Sequence, residues 1–243
     1  MMKFTKRILS VMLSLCLVLC CSIPAFAAET TTTVGTLTIF SSNDGGSSSW
    51  NLSGHAFLAF ENTSSSDITV GGLTVASGEE ITFGTWGNQD AHHGIWYNLE
   101  SYLINNQNDY ANRASLSMSV TQDDVDEINT IIANNDTWAL LNNCSSFAVR
   151  VWNQVSSITL SAGSPNTPTS LRANIRSKSG YETGRSVQNN TNIGYVSGGE
   201  FVPVTVSASA RSAAPIVMTA YGVQFIVPIN LNPNSCDTEV WHK

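Results

Sequence analysis

The stretch Asn142-Asn143-Cys144-Ser145-Ser146-Phe147-Ala148-Val149-Arg150-Val151-Trp152-Asn153-Gln154-Val155 decides how this chain is read. Phe147, Ala148, Val151, Trp152 and Val155 recur at helical spacing, which predicts a helix from about Cys144 to Val155 with one apolar face. Asn142 and Asn143 stand where helix N-caps are favoured. A cysteine therefore opens a core-packed helix. The free N–H groups of a helix start stabilise negative charge, so a thiolate is favoured there. The same donors can hold the oxyanion of a tetrahedral intermediate. An inert buried cysteine has the same local sequence, and this helix alone leaves both readings open.

Further toward the N-terminus, Ser53-Gly54-His55-Ala56-Phe57-Leu58-Ala59-Phe60 reads as an apolar strand headed by a histidine. That histidine can accept the thiol proton from a helix start packed on the sheet; alone, it reads equally as a surface histidine. A cysteine at a helix start and a histidine at a strand start is what a Cys–His site needs, whichever comes first in the chain. Around this pair, Gly35–Phe40, 68–75 and 79–86 read as strands, the last two joined near Ser77-Gly78. Tyr97–Asn105 reads as a short helix and Ala114–Val120 as a strand. Thr121 can cap a second helix, with Asp123, Asp124 and Asp126 at its start and Val125, Ile128, Ile131 and Ile132 on one face. Thr167-Pro168-Thr169 opens another helix. Residues 177–200 are polar, and Val202–Val206 and Val217–Val227 read as strands of a closing hairpin or of an edge of the same sheet. The fold class expected is α+β.

Gly54-His55-Ala56-Phe57-Leu58-Ala59-Phe60 followed by Asn143-Cys144-Ser145-Ser146-Phe147 resembles the permuted branch of the NlpC/P60 (papain-like) superfamily, in which the histidine strand precedes the cysteine helix. The segments Gly94–Tyr102, Tyr110–Arg113, Thr121–Val125 and Asn142–Ser145 look like the DUF4105 family, which includes the N-terminal periplasmic domain associated with lacto-N-biosidases. Lecithin retinol acyltransferase-like proteins are more distantly similar. The resemblance covers about residues 35–176. It implies an antiparallel sheet packed against the cysteine-bearing helix, with Cys144 as nucleophile and His55 as base. Relatives of this kind often carry a third polar residue, commonly His, on the strand after the catalytic histidine. Here that strand, Ile81–Trp86, offers only Thr82 and Thr85, and His92 and His93 follow just beyond it. Thr85 and His93 are the candidates for the third position.

The N-terminus bounds the setting. Lys3, Lys6 and Arg7, an apolar run from Ile8 to Ile23 and Ala25-Phe26-Ala27 read as a signal peptide cleaved after Ala27. Acylation at Cys20 or Cys21 is the alternative. The expected organisation is a signal peptide at 1–27, a permuted papain-like domain at 28–176, and a polar linker with a β-rich C-terminal extension at 177–243. Loss of the three basic residues takes Lys+Arg from 11 to 8 against 18 acidic residues, a net charge of −10. No basic stripe remains for nucleic acid. Of five cysteines, Cys144 and Cys236 survive cleavage; an oxidising location allows them to pair. Neither a CxxC pattern nor a His/Cys cluster at ligand spacing is present, and no metal or cofactor is implied.

Other residues with functional readings are Trp86, Trp96 and Trp138 (a groove or simply core), Glu79-Glu80 (a solvated turn), Arg113 (a carboxylate partner or a solvent-facing cation) and the acceptor-like Asn51-Leu52-Ser53. The function expected is a secreted cysteine hydrolase of amidase or peptidase type, acting on cell-wall peptide amides and loosely associated with the wall. The alternatives are a lipid or ester acyl hydrolase or acyltransferase, and a non-catalytic exported binding or maturation module. The partner expected is a peptide, glycopeptide or lipid substrate.

Overall fold

The computed structural model describes residues 32–43, 54–205, 216–220 and 223–227. The signal segment, the Asn51–Ser53 acceptor and Cys236 lie outside them. In chain order the elements are β1 (Thr33–Ser42), β2 (His55–Asn62), β3 (Ile68–Val70), β4 (Leu73–Val75), β5 (Glu80–Trp86), β6 (Gly94–Tyr97), α1 (Leu99–Gln107), β7 (Ala114–Thr121), α2 (Gln122–Asn134), α3 (Cys144–Val155), α4 (Pro168–Arg176), β8 (Glu182–Thr183), β9 (Gly194–Ser197) and β10 (Glu200–Pro203), then a separate hairpin of β11 (Ile216–Ala220) and β12 (Val223–Val227). The α+β class expected from the sequence is what forms.

An eight-stranded antiparallel sheet runs β10-β9-β6-β5-β2-β1-β7-β8. Its central strands are buried on both faces, and their side chains alternate between two apolar clusters. Leu37, Ile39, Ala56, Leu58, Phe60, Ile81, Phe83, Ile95 and Tyr97 join one cluster with Val125, Ile128 and Ile132 of α2, Phe147, Val151 and Trp152 of α3 and Leu171 of α4. Phe40, Phe57, Ala59, Trp86 and Trp96 join the other, with Leu99 and Leu103 of α1. Helix α3 thus lies on one face and α1 on the other. Trp152 is fully buried and its indole N–H donates to Ile158 O at 2.7 Å, so the largest side chain of α3 is satisfied as well as packed.

Three local details differ from the sequence reading. Residues 68–75 form two strands, because Gly71 and Gly72 both adopt positive φ (59° and 92°) and make a two-residue turn. The four residues Gly94–Tyr97 add strand β6, and α1 starts later than expected, after Asn98 in the left-handed region (φ 61°). Glu80 is buried rather than solvated. Burial raises its pKa, and its carboxylate accepts from Gln188 N at 2.6 Å while its own N–H donates to Gln188 Oε1 at 2.7 Å. The segment beyond Arg176 returns to both edges of the sheet, as β8 beside β7 and as β9–β10 beside β6. No helix among the described residues is long and apolar enough to cross a membrane.

Candidate functional site

Cys144 and His55 come together from different layers. Cys144 is the first residue of α3, and Asn143 caps the helix: its Oδ1 accepts from the N–H groups of Ser145 (3.1 Å) and Ser146 (3.2 Å). Asn143 Nδ2 donates to Leu140 O at 3.2 Å and Asn166 O at 2.9 Å, tying the helix start to the loops on either side. Ahead of the cap, Ala139 and Asn142 exchange backbone hydrogen bonds of 3.1 and 2.9 Å. The turn between them exposes Leu140 (44 %) and Leu141 (71 %), four and three residues before the thiol.

His55 is the first residue of β2. Gly54, at φ +96°, makes the entry to the strand; a Cβ there would sit 2.1 Å from Ser42 O, so only glycine fits. The imidazole lies on the α1 face, 4.2 Å centroid to centroid from Trp86, 5.7 Å from Tyr110 and 5.9 Å from Phe57. Both candidate residues are almost wholly shielded, with 1 % exposure each.

Neither Thr85 nor His93, the sequence candidates for a third position, bonds to the imidazole; Glu100 does. His55 Nε2 and Glu100 Oε1 are 2.8 Å apart. Trp86 Nε1 donates to the same oxygen at 2.8 Å, and Thr82 Oγ1 donates to Oε2 at 3.1 Å. Thr82 in turn accepts from Ser101 N at 3.2 Å, fixing the first turn of α1. Gly84 lies against this pair: a Cβ on it would fall 2.7 Å from Glu100 Oε1 and 3.4 Å from His55 Nε2. Thr85 is buried, with no hydrogen bond to its hydroxyl, and its side chain points to the face opposite Glu100. His93 is exposed, while His92 pairs with Asp136 at 2.7 Å and stacks on Tyr195.

Burial drives the His55 pKa down, but the charge of Cys144 and a hydrogen bond with it oppose that, and the Glu100 hydrogen bond and charge add to them. The balance carries the imidazole from 6.5 up to about 9. With Nε2 committed to Glu100, Nδ1 is the ring atom left for the sulfur; it is buried and has no other hydrogen-bond partner. The imidazole is held between the Glu100 carboxyl group and the Cys144 sulfur, the order that a Cys–His site would use.

The other sequence candidates fall outside this cluster or support it. Trp86 holds Glu100 and Trp96 is buried, its indole donating to His92 O at 2.9 Å. Trp138, half-buried, packs over the backbone of Gly87. Arg113 is buried and donates to Tyr110 O at 3.1 Å and Arg185 O at 2.8 Å, securing the segment that leads to β9. Cys144 is the only cysteine among the described residues, and these contain no group of side chains suited to a metal ion. Comparison with known proteins returns no match: no protein-family model, no curated protein and no solved structure is similar to this chain.

Proposed function

We propose that the protein is a cysteine-nucleophile acyl hydrolase or acyltransferase of permuted papain-like type. The observation that carries this reading is the His55–Glu100 pair beside Cys144, with the imidazole pKa raised to about 9. Such a pair keeps the thiol ionised and the imidazole protonated at neutral pH. The Cys144 thiolate attacks a carbonyl carbon, a C–S bond forms and the carbonyl π pair moves onto oxygen. The imidazolium gives its Nδ1 proton to the departing amine or alkoxide as the C–N or C–O bond breaks. Neutral His55 then takes a proton from water, or from an acceptor hydroxyl or amine. That nucleophile displaces the thiolate from the thioester. Glu100 touches no reacting atom; it fixes the ring orientation and favours the protonated imidazole.

A signal-type N-terminus makes cell-wall peptide amides the first substrates to assay. A second reading, an ester or lipid acyl substrate, is favoured by the exposed Leu140-Leu141 pair on the hydrogen-bonded turn leading into Cys144. Hydrolysis of wall peptides against short- and long-chain acyl esters separates the two.

Thiol alkylation tests the shared chemistry. With iodoacetamide at pH 6, where an ordinary thiol is roughly 0.3 % ionised, Cys144 should react roughly tenfold or more faster than a free peptide thiol. Mass spectrometry assigns the site, and His55→Ala should remove the advantage. Slow labelling that ignores His55, or a Cys144–Cys236 disulfide in the isolated protein, rules the enzyme reading out.

A further inference from the structure

The acyl-transfer reading needs hydrogen-bond donors at the carbonyl oxygen, and the helix start has few to spare. The N–H groups of Ser145 and Ser146 are already held by the Asn143 side chain. Another donor stands on the neighbouring strand. Ser42, the last residue of β1, is directly opposite His55 in the β1–β2 ladder. Residues paired in this way present their side chains on one face, with Cβ atoms about 4.5–5.5 Å apart, so the Ser42 hydroxyl stands beside the imidazole.

Its hydrogen-bond accounting is unusual. Ser42 is completely buried and its Oγ has no partner. Two other hydroxyls of the same strand are satisfied: Ser41 Oγ donates to Pro168 O at 2.7 Å and Thr38 Oγ1 pairs with Ser117 Oγ at 2.9 Å. Buried polar atoms are nearly always paired, because each unpaired one forfeits its hydration without return. An unpaired hydroxyl at this depth, directly opposite His55, marks a place built for a group that is not part of the chain.

We infer that Ser42 is a further catalytic residue, whose O–H donates to the carbonyl oxygen of the bound acyl group and to the oxyanion it becomes. No proton is transferred. As the C–S bond forms and the π pair moves onto oxygen, the Ser42 hydrogen bond strengthens and stabilises the tetrahedral intermediate. The inference rests on the Cys144–His55 reading given above.

Two reagents separate the two ideas. Iodoacetamide alkylates the thiolate without forming an oxyanion, whereas p-nitrophenyl acetate acylates it through one. In Ser42→Ala, alkylation of Cys144 should stay within about twofold of wild type while acylation falls roughly 10–100-fold. Removing an unbonded buried hydroxyl should leave the urea midpoint unchanged or higher, and Ser42→Gly should show the same split between reagents. Unchanged acylation overturns the inference. So does a parallel loss of both reactions, a lowered urea midpoint, or a wild-type Cys144 that alkylates quickly but cannot be acylated. A wild-type Cys144 no more reactive than a free thiol overturns the dyad itself, a distinct outcome.

Discussion

At the scale of single residues, the two ring nitrogens of His55 divide the work, Nε2 to Glu100 and Nδ1 to the thiol. The pH dependence follows from the raised pKa of about 9. Interactions of the imidazolium with its partners are fully present below about 6.5, its ordinary value, and fade as pH rises through 9. Two outcomes are expected. Folding stability should carry a component that declines between these limits, seen as a falling urea midpoint that His55→Ala removes. Turnover, once a substrate is found, should hold through neutral pH and drop above about 9, as the proton for the leaving group is lost. Glu100→Gln keeps the shape and removes the charge, so the upper limb of that profile should move to lower pH and the rate at pH 8 should fall roughly tenfold or more; an unmoved limb would assign Glu100 to packing alone. His55 and Cys144 were legible because each opens an apolar element. Glu100 was not. It sits in Leu99-Glu100-Ser101, at the start of a helix whose other residues are largely Asn, Gln and Tyr, where a carboxylate reads as solvent-facing. Its partners Thr82, Trp86 and His55 are 18, 14 and 45 positions away, so only the folded sheet reveals that it is buried.

At the scale of elements, the helix start and the strand beneath the histidine hold the site to its geometry. Asn143→Ala removes the cap of α3 and should cost about 1 kcal/mol in chemical denaturation, with a larger loss in Cys144 reactivity because the thiol shares that first turn. Gly84→Ala inserts a methyl group where Glu100 Oε1 already makes two hydrogen bonds. It should cost roughly 1–3 kcal/mol and return the alkylation pH profile toward that of an ordinary thiol, while circular dichroism stays native. Unaltered reactivity in Gly84→Ala would mean that the His55–Glu100 contact is dispensable. Helices α2 and α3 were plain in the sequence because cap and apolar spacing agree; Thr121 caps α2 as expected, and Asp124 completes a capping box with it, Thr121 N donating to Asp124 Oδ2 at 2.8 Å. Strand β6 was hidden by its shortness, and the β3–β4 turn by reading Gly71-Gly72 as strand interior rather than as the residues that allow reversal.

At the scale of the whole molecule, the stretch expected to be a linker and extension supplies the outermost strands at both ends of the sheet. Its polar, Gly- and Asn-rich composition conceals this, because its bonds are made by side chains to the backbone of a distant segment. Ser101 Oγ donates to Gln188 O (2.6 Å), Asn105 Nδ2 to Val187 O (3.1 Å) and Asn98 Nδ2 to Asn192 O (2.9 Å), all from α1 or the residue that precedes it. A chain ended after Arg176 should therefore lose cooperative unfolding and Cys144 reactivity, whereas one ended after Thr205 should retain both; equal behaviour of the two would show that 28–176 folds alone. The same clamp has a consequence in time. Glu100 rides on a helix fastened by residues more than eighty positions later in the chain, so a polypeptide emerging from the ribosome carries Cys144 and His55 before it carries the segment that holds Glu100 in place. Until residues 187–192 arrive, α1 lacks these bonds, and nothing from the later segment yet fastens Glu100 beneath His55.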